Sequence, residues 1–311
     1  MLAESTFEVV HAPASRLALL ASCATPPSGA VDSGQLVFWE IRPLEGEDGV
    51  AYLLGSIHVG RERLDFDPAI RAALPDASLL VYEVSPGASD PENMAIAIME
   101  MGRLPAGQTL ENLLSAETWE AFEKRLAKEG LPAENFAVFE PWVATLQLLG
   151  LSLAAANANV EFGIEQQILE MTEGSATIGL ETPDFQLGLF DALPMETQIY
   201  LLEEALTPES QAADFVDLVF AAWKVGDLEM LERLIVPEAD DPKLDVFFES
   251  VFLERNRNMA TGIAELLEEP GRYFVTLGVG HMLGDEGIPA LLARKGFRVK
   301  RVPRTGATPR G

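Results

Sequence analysis

Two histidines occupy the same local pattern at opposite ends of this chain. Tyr52-Leu53-Leu54 runs into Gly55-Ser56-Ile57-His58, and Phe274-Val275-Thr276-Leu277 runs into Gly278-Val279-Gly280-His281. Each is an apolar run of strand length followed by Gly-x-x-His, and the chain has only three histidines. Two other apolar runs end on a carboxylate: Leu79-Leu80-Val81-Tyr82 reaches Glu83, and Thr177-Ile178-Gly179-Leu180 reaches Glu181. If these four strands are neighbours, His58, Glu83, Glu181 and His281 share one crevice at the carboxyl edge of a sheet, where α/β proteins bind ligands. Two imidazoles and a carboxylate suit a first-row divalent metal with open positions for water and substrate. Such an ion acidifies water and polarises a carbonyl, which is the chemistry of hydrolysis. A second carboxylate offers a general base; without a metal, His58 itself would be the base, oriented by a carboxylate. Arg255-Asn256 lies on the helix before the second motif, where a guanidinium would clamp a carboxylate or steady an oxyanion.

Each of these residues also has a plainer reading. A strand-end histidine is commonly a hydrogen-bonded structural residue. Glu83 and Glu181 would then cap a nearby helix or pair with Arg255, and Arg255 would be a solvated helix-surface residue. The repetition of the motif favours function for the histidine pair. No Gly-x-Ser-x-Gly elbow surrounds Ser56, so a serine nucleophile is not expected. The Gly278-x-Gly280 pair opens no phosphate-binding fingerprint.

The elements that must position these groups can be read in order. Leu36–Ile41 and Val50–Leu54 form a hairpin. Asp67-Pro68 starts a short helix over Ala69–Leu74. Ser78–Val84 is a third strand, continuous enough for a buried parallel position. Ser89-Asp90-Pro91-Glu92 caps a helix towards Met101, and Ser115-Ala116-Glu117-Thr118 caps another to Lys128. Gly107–Leu110 reads as an edge strand. Helical patterns then follow, with Ala176–Glu181 as a fourth strand. Gln186–Leu267 is nearly all helical, broken at Pro194, Thr207-Pro208, Gly226-Asp227 and Pro237. Tyr273–Leu277, a helix over Glu286–Lys295 stopped by Gly296, and a last strand over Phe297–Val302 complete the pattern. The expected fold is α/β (α+β): a mixed sheet flanked by helices, in one domain over residues 36–303 with a long helical insertion at about 87–270.

The chain has 311 residues, 48% of them apolar, and a net charge of −27 from 49 acids and 22 bases. So acidic a surface repels nucleic acid and anionic headgroups, which are excluded as partners. The one cysteine, Cys23, rules out an intramolecular disulfide and a cysteine-built metal site. Leu17–Cys23 has the small residues and terminal cysteine of a bacterial lipoprotein signal, although its apolar core is short and Glu4, Glu8 and His11 precede it. Residues 1–35 therefore read as a leader, linker or disordered tail. Export, with Cys23 as a candidate lipid anchor, is the expectation if the leader works; a cytoplasmic site is the expectation if it does not. The most apolar stretch, Val138–Ala156, carries Glu140 and Pro141 and reads as a buried helix, so no transmembrane span is expected. The tail from residue 304 reads as loose.

In this order the residues resemble the TraB/GumN family, which also includes PrgY and the animal Tiki proteins. The likeness runs from Leu36 to Val302. It is carried by Leu54–His58, the strand to Glu83, Pro141-Trp142, Gly163-Ile164-Glu165, Gly179-Leu180-Glu181-Thr182 with Gln186, Trp223 before Gly226-Asp227, Glu254-Arg255-Asn256, and Gly278–Gly284 with Gly287. The resemblance implies a fold similar to erythromycin-esterase and ChaN-like proteins. Tiki proteins are regarded as metal-dependent proteases, so it also implies manganese or cobalt, with zinc or iron as alternatives. Carried over by position, it points to His58, Glu83 and His281 as metal ligands and to Glu181, Arg255 and Asn256 as further site positions with catalytic roles. Glu165 departs from the family, which more often has aspartate there. TraB and PrgY are associated with shutting down peptide pheromone signals, and GumN with polysaccharide production.

Three functions are expected to compete. The first is a metal-dependent hydrolase of peptide, amide or ester bonds. The second is a module that sequesters a peptide intact in a groove of the helical segment. The third is a metal-free, esterase-like hydrolase with a histidine base.

Overall fold

The computed structural model describes residues 30–44, 49–88, 91–206, 210–236 and 242–306. The leader with His11 and Cys23, and the cap residues Ser89 and Asp90, lie outside these. Six strands form one sheet: β1 (Gln35–Pro43), β2 (Val50–Ser56), β3 (Leu79–Val84), β4 (Thr177–Glu181), β5 (Arg272–Gly278) and β6 (Phe297–Pro303). Their spatial order is β4-β3-β5-β2-β1-β6. The pairs β3–β4, β3–β5 and β2–β5 are parallel, whereas β1 is antiparallel to both β2 and β6. The sheet is mixed and flanked by helices, as expected from the pattern.

The order explains the composition of the strands. β3 and β5 have sheet neighbours on both sides and helices above and below, so their interior positions are apolar on both faces. Phe274, Val275, Leu277, Val81 and Leu80 are all at most 1% exposed. They belong to the main core, with Leu53 and Leu54 of β2 and Met259, Ala260 and Ile263 of the helix Glu254–Leu266. Truncating a side chain such as Phe274 costs about 3–5 kcal/mol. A second cluster, built on Phe122, Leu126, Leu148 and Leu202, holds the helices Ala116–Ala127, Pro141–Ala155 and Met195–Ala205 together. The apolar run at Val138–Ala156 is thus an interior helix, and no helix among the described residues is long and apolar enough to cross a membrane.

Local signals place most helix starts. Asp67 accepts from the Ala69 N–H at 2.9 Å, and Ser115 from the Thr118 N–H at 3.0 Å. The expected edge strand at Gly107–Leu110 is a correction. Thr109 instead caps the short helix Leu110–Leu113, accepting from the Asn112 N–H. Leu110 is driven into the second cluster, and a capping hydroxyl outweighs the local strand preference. The chain is also anchored beyond both ends of the expected domain. Ser33 bonds to the Val225 and Gly226 carbonyls, and Thr305 bonds to both oxygens of Asp67.

Three contacts, two of them at glycines, join the first motif and Gly60 to the segment that starts the helix Ile164–Met171. Gly60 and Asn159 exchange backbone hydrogen bonds at 2.9 Å each, and the Ile164 N–H donates to the Ile57 carbonyl at 3.0 Å. A Cβ on Gly163 would lie 2.3 Å from the His58 carbonyl oxygen. Gly163→Ala is therefore expected to lower stability by about 2 kcal/mol or more, because backbone must yield to backbone. Gly150, within Pro141–Ala155, has nothing within 4 Å of a built Cβ. Gly150→Ala is expected to raise stability by about 0.5–1 kcal/mol. Urea denaturation of the two variants checks the contrast; equal effects would contradict it.

Candidate active site

The four polar strand ends meet as the sequence suggests, because their strands are consecutive neighbours. Ser56 of β2 stands beside Gly278 of β5, Thr276 of β5 beside Tyr82 of β3, and Val84 of β3 beside Glu181 of β4. Gly278 has no side chain, and that bare position is the point of convergence. A Cβ built there would lie 3.0 Å from Glu83 Oε1, 3.2 Å from His58 Nε2 and 3.6 Å from His281 Cδ2.

Each imidazole is held by its other nitrogen. The His58 Nδ1 lies 2.7 Å from Glu165 Oε1, and the same oxygen accepts from the Ser56 hydroxyl. Behind this loop the Trp223 indole donates to the Gly55 carbonyl at 2.6 Å. The His281 Nδ1 lies 2.6 Å from Asn256 Oδ1. Asn256 spends its amide N–H on the Glu286 carbonyl at 2.9 Å, so its oxygen must be the acceptor facing His281. That assigns the His281 proton to Nδ1 and leaves a lone pair on Nε2, 3.6 Å from Glu83 Oε1.

The carboxylates are clamped by Arg255. Its Nη2 donates to Glu83 Oε2 at 2.6 Å, while Nε and Nη2 grip Glu181 at 2.8–3.1 Å. The Gly278 N–H donates to Glu83 Oε1 at 2.6 Å, and Gln186 bridges Glu181 and Glu83. The sequence allows Arg255 either a helix-surface or a clamping role; it is a clamp, and only 7% exposed. Glu181, Arg255 and Asn256 hold other site groups, and their polar atoms are taken up in doing so. Glu165 was noted in the sequence only as a departure from the family. Its position in the first turn of a helix, directly after Gly163-Ile164, was the available signal.

The electrostatics separate the two histidines. Burial pulls the His281 imidazole down to about 4, against the opposing pull of Glu83. Burial alone would push the Glu83 carboxyl up, but His281, His58, Arg255 and the Gly278 N–H outweigh it and hold it down to about 2. Because His281 is neutral at pH 7, the lasting part of this attraction comes from His58, Arg255 and the backbone N–H. The Glu165 carboxylate raises His58 well above the usual imidazole value. The His58 side chain is 63% exposed, however, and water screens that pair.

Among the described residues, no group of three or more His, Cys, Asp or Glu is arranged so that it could hold a metal ion as it stands. The donor chemistry nonetheless fits a divalent cation. Both imidazoles are tied through Nδ1 and present Nε2, the pattern of metal-binding histidines with outer partners. Glu165 Oε2 is buried without a hydrogen-bond partner. Glu83, Glu165 and Glu181 against Arg255 and the His58 imidazolium that Glu165 favours leave one negative charge in excess, and two once His58 gives up its proton.

A pH dependence follows from His281. Its folded value lies below the unfolded value of about 6.5, so the unfolded chain takes up the proton first. Stability of chelator-treated protein is therefore complete above pH 6.5 and falls as pH drops towards 4, by on the order of 2–3 kcal/mol from this group. Glu83 adds a further loss below about pH 4.3. His58 acts in the opposite sense as pH rises, weakly because it is exposed. Urea midpoints measured against pH should show the fall, and His281→Asn should flatten it between pH 6.5 and 4; an unchanged slope would refute the assignment.

Comparison with known proteins gives a consistent picture. The chain is 24% identical to the uncharacterized protein YbaP of Shigella flexneri, over 78% of this chain and 87% of that one. It is 25% identical to an uncharacterized protein of Treponema pallidum, over 90% and 88% of the two. It is also 23% identical to Metalloprotease TIKI1 of Danio rerio, over 85% of this chain and 63% of that protein. No solved structure matches, and the expected likeness to erythromycin-esterase and ChaN-like folds rests on the family resemblance alone. A family model matches residues 37–301, which include every site residue described above and all of the sheet but the outer ends of β1 and β6, and the chain belongs to the TraB/PrgY/gumN family.

Proposed function

We propose that this protein is a metal-dependent hydrolase of peptide or related amide bonds, with His58, His281 and Glu83 as the residues that would hold the ion. The observation that carries this reading is the convergence of His58 Nε2, Glu83 Oε1 and the His281 ring on the bare position at Gly278. The excess of negative charge and the likeness to a named metalloprotease support it. A first-row divalent ion bound there supplies Lewis acidity towards a carbonyl and an acidified water.

The chain's own residues supply the rest. Glu165 sets the orientation of His58 through Nδ1 and keeps a second, buried oxygen without a hydrogen-bond partner. Asn256 keeps the His281 Nε2 unprotonated. Arg255, shared between Glu83 and Glu181, keeps Glu83 ionised and in place. In this reading Glu181, Arg255 and Asn256 are positioning residues, which narrows the catalytic role expected for them from the sequence.

One observation favours the metal-free reading. His58 is exposed, with a carboxylate on Nδ1 and Nε2 facing Gly278, which is the arrangement of an oriented general base. The same carboxylate works against it, because it favours the protonated imidazole, which cannot accept a proton.

Elemental analysis is expected to find about one divalent ion per chain in the wild type and little in His58→Ala or His281→Ala. A chelator should abolish cleavage of a fluorogenic peptide mixture. Turnover that survives the chelator and fails in His58→Ala would select the metal-free hydrolase. Binding of peptides that are recovered intact, with no ion retained, would select the sequestering module. Arg255→Lys keeps the charge but loses the planar fork, and should weaken ion affinity by roughly 10–100-fold. Wild-type affinity in that variant would remove Arg255 from the site.

A further inference from the structure

A row of aromatic rings leads away from His281. Phe252 lies 5.4 Å from the His281 ring, Phe248 stacks on Phe252 at 5.0 Å, and Phe247 lies 6.4 Å from Phe252. The row continues through Phe190 to Trp142, each step 6.4 Å. Its far end is core, for Trp142 is 1% exposed. Its near end is not: Phe247, Phe248 and Phe252 are only partly buried. Apolar rings left in contact with water add little to the stability of the fold.

The backbone that carries this end is irregular. Glu249–Leu253 forms a single π-helical turn between the helices Pro242–Phe248 and Glu254–Leu266. Such turns insert a residue and re-aim side chains, and they recur at functional sites. The turn is tied to the site by its Val251 carbonyl, which accepts from Arg255 Nη1 at 3.1 Å. It is tied again at the second motif. A Cβ on Gly280 would lie 2.8 Å from Phe252 Cε1, so glycine there lets the ring close on the motif backbone.

We infer that Phe248 and Phe252 form an apolar side-chain subsite beside His281, selecting peptides with an aromatic or large aliphatic residue next to the scissile amide. The inference rests on the hydrolase reading above and names its substrate class. Selection against an acidic side chain there comes from the negative charge of the centre, because Glu249, next to Phe248 in the chain, is already paired with Arg257 at 2.6 Å.

Amino-acid hydroxamates test this without relying on turnover, because the hydroxamate group itself ligates a divalent ion and the side chain reads the subsite. The full chain, reconstituted with manganese, is titrated calorimetrically with the hydroxamates of phenylalanine, glycine and aspartate. The phenylalanine compound should bind about tenfold or more tightly than the glycine one, and the aspartate compound no better than glycine. Phe252→Ala, or Phe248→Leu if that variant does not fold, should reduce the preference to about threefold or less while glycine hydroxamate binds as before. Equal affinities in the wild type, or a preference untouched by both substitutions, would overturn the subsite and leave the hydrolase reading standing. Failure of every hydroxamate to bind the ion-loaded protein would overturn both.

Discussion

The Arg255 guanidinium, buried between Glu83 and Glu181, is the interaction on which the rest of this structure turns. The two carboxylates end adjacent parallel strands, and without a cation between them their repulsion in a low-dielectric interior would splay or neutralise them. A guanidinium suits this task better than an ammonium, because its planar fork grips Glu181 with two nitrogens and still reaches Glu83. Glu83 is thereby kept ionised beside Gly278, where the two imidazoles converge. Arg255 also spends a donor on the Val251 carbonyl of the irregular turn before its helix, so the clamp, the helix and that turn are one mechanical unit.

The same centre illustrates two ways of orienting a histidine. His58 is exposed and leans on a carboxylate, which adds charge and basicity. His281 is 4% exposed and leans on an amide, which fixes the proton without adding charge. The difference follows burial: an ion pair at His281 would bring another uncompensated charge into the interior, whereas at His58 water shares the load. The outer partners come from two helices of the long segment between the motif strands, Glu165 near its middle and Asn256 near its end. That segment therefore does more than connect β2 to β5.

The sheet and the four strand-end groups were legible in the sequence because their pattern is local. An apolar run that stops at a polar residue reveals both a strand and the direction in which its last side chain can act. The orienting contacts were not legible, because each joins distant residues. Glu165 lies 109 positions from Ser56, and Arg255 lies 172 positions from Glu83. A helix pattern tells which residues share a face, but not which strand end that face will cover, so the burial of Arg255 stayed open. Thr109 shows the opposite error. Four residues with strand-like neighbours became a helix cap, since one hydroxyl and one buried leucine decide so short a stretch.

The placement of β5 between β2 and β3 also bears on how the chain comes to be folded. A ribosome delivers β1 to β4 early, yet β2 and β3 cannot be joined until the last quarter of the described chain has emerged. Until then both present open, hydrophobic edges of the kind that other chains can pair with. Nascent protein thus passes through a sticky interval that ends only when Arg272–Gly278 slots into the gap, and His58, Glu83 and His281 are brought together in that same late step.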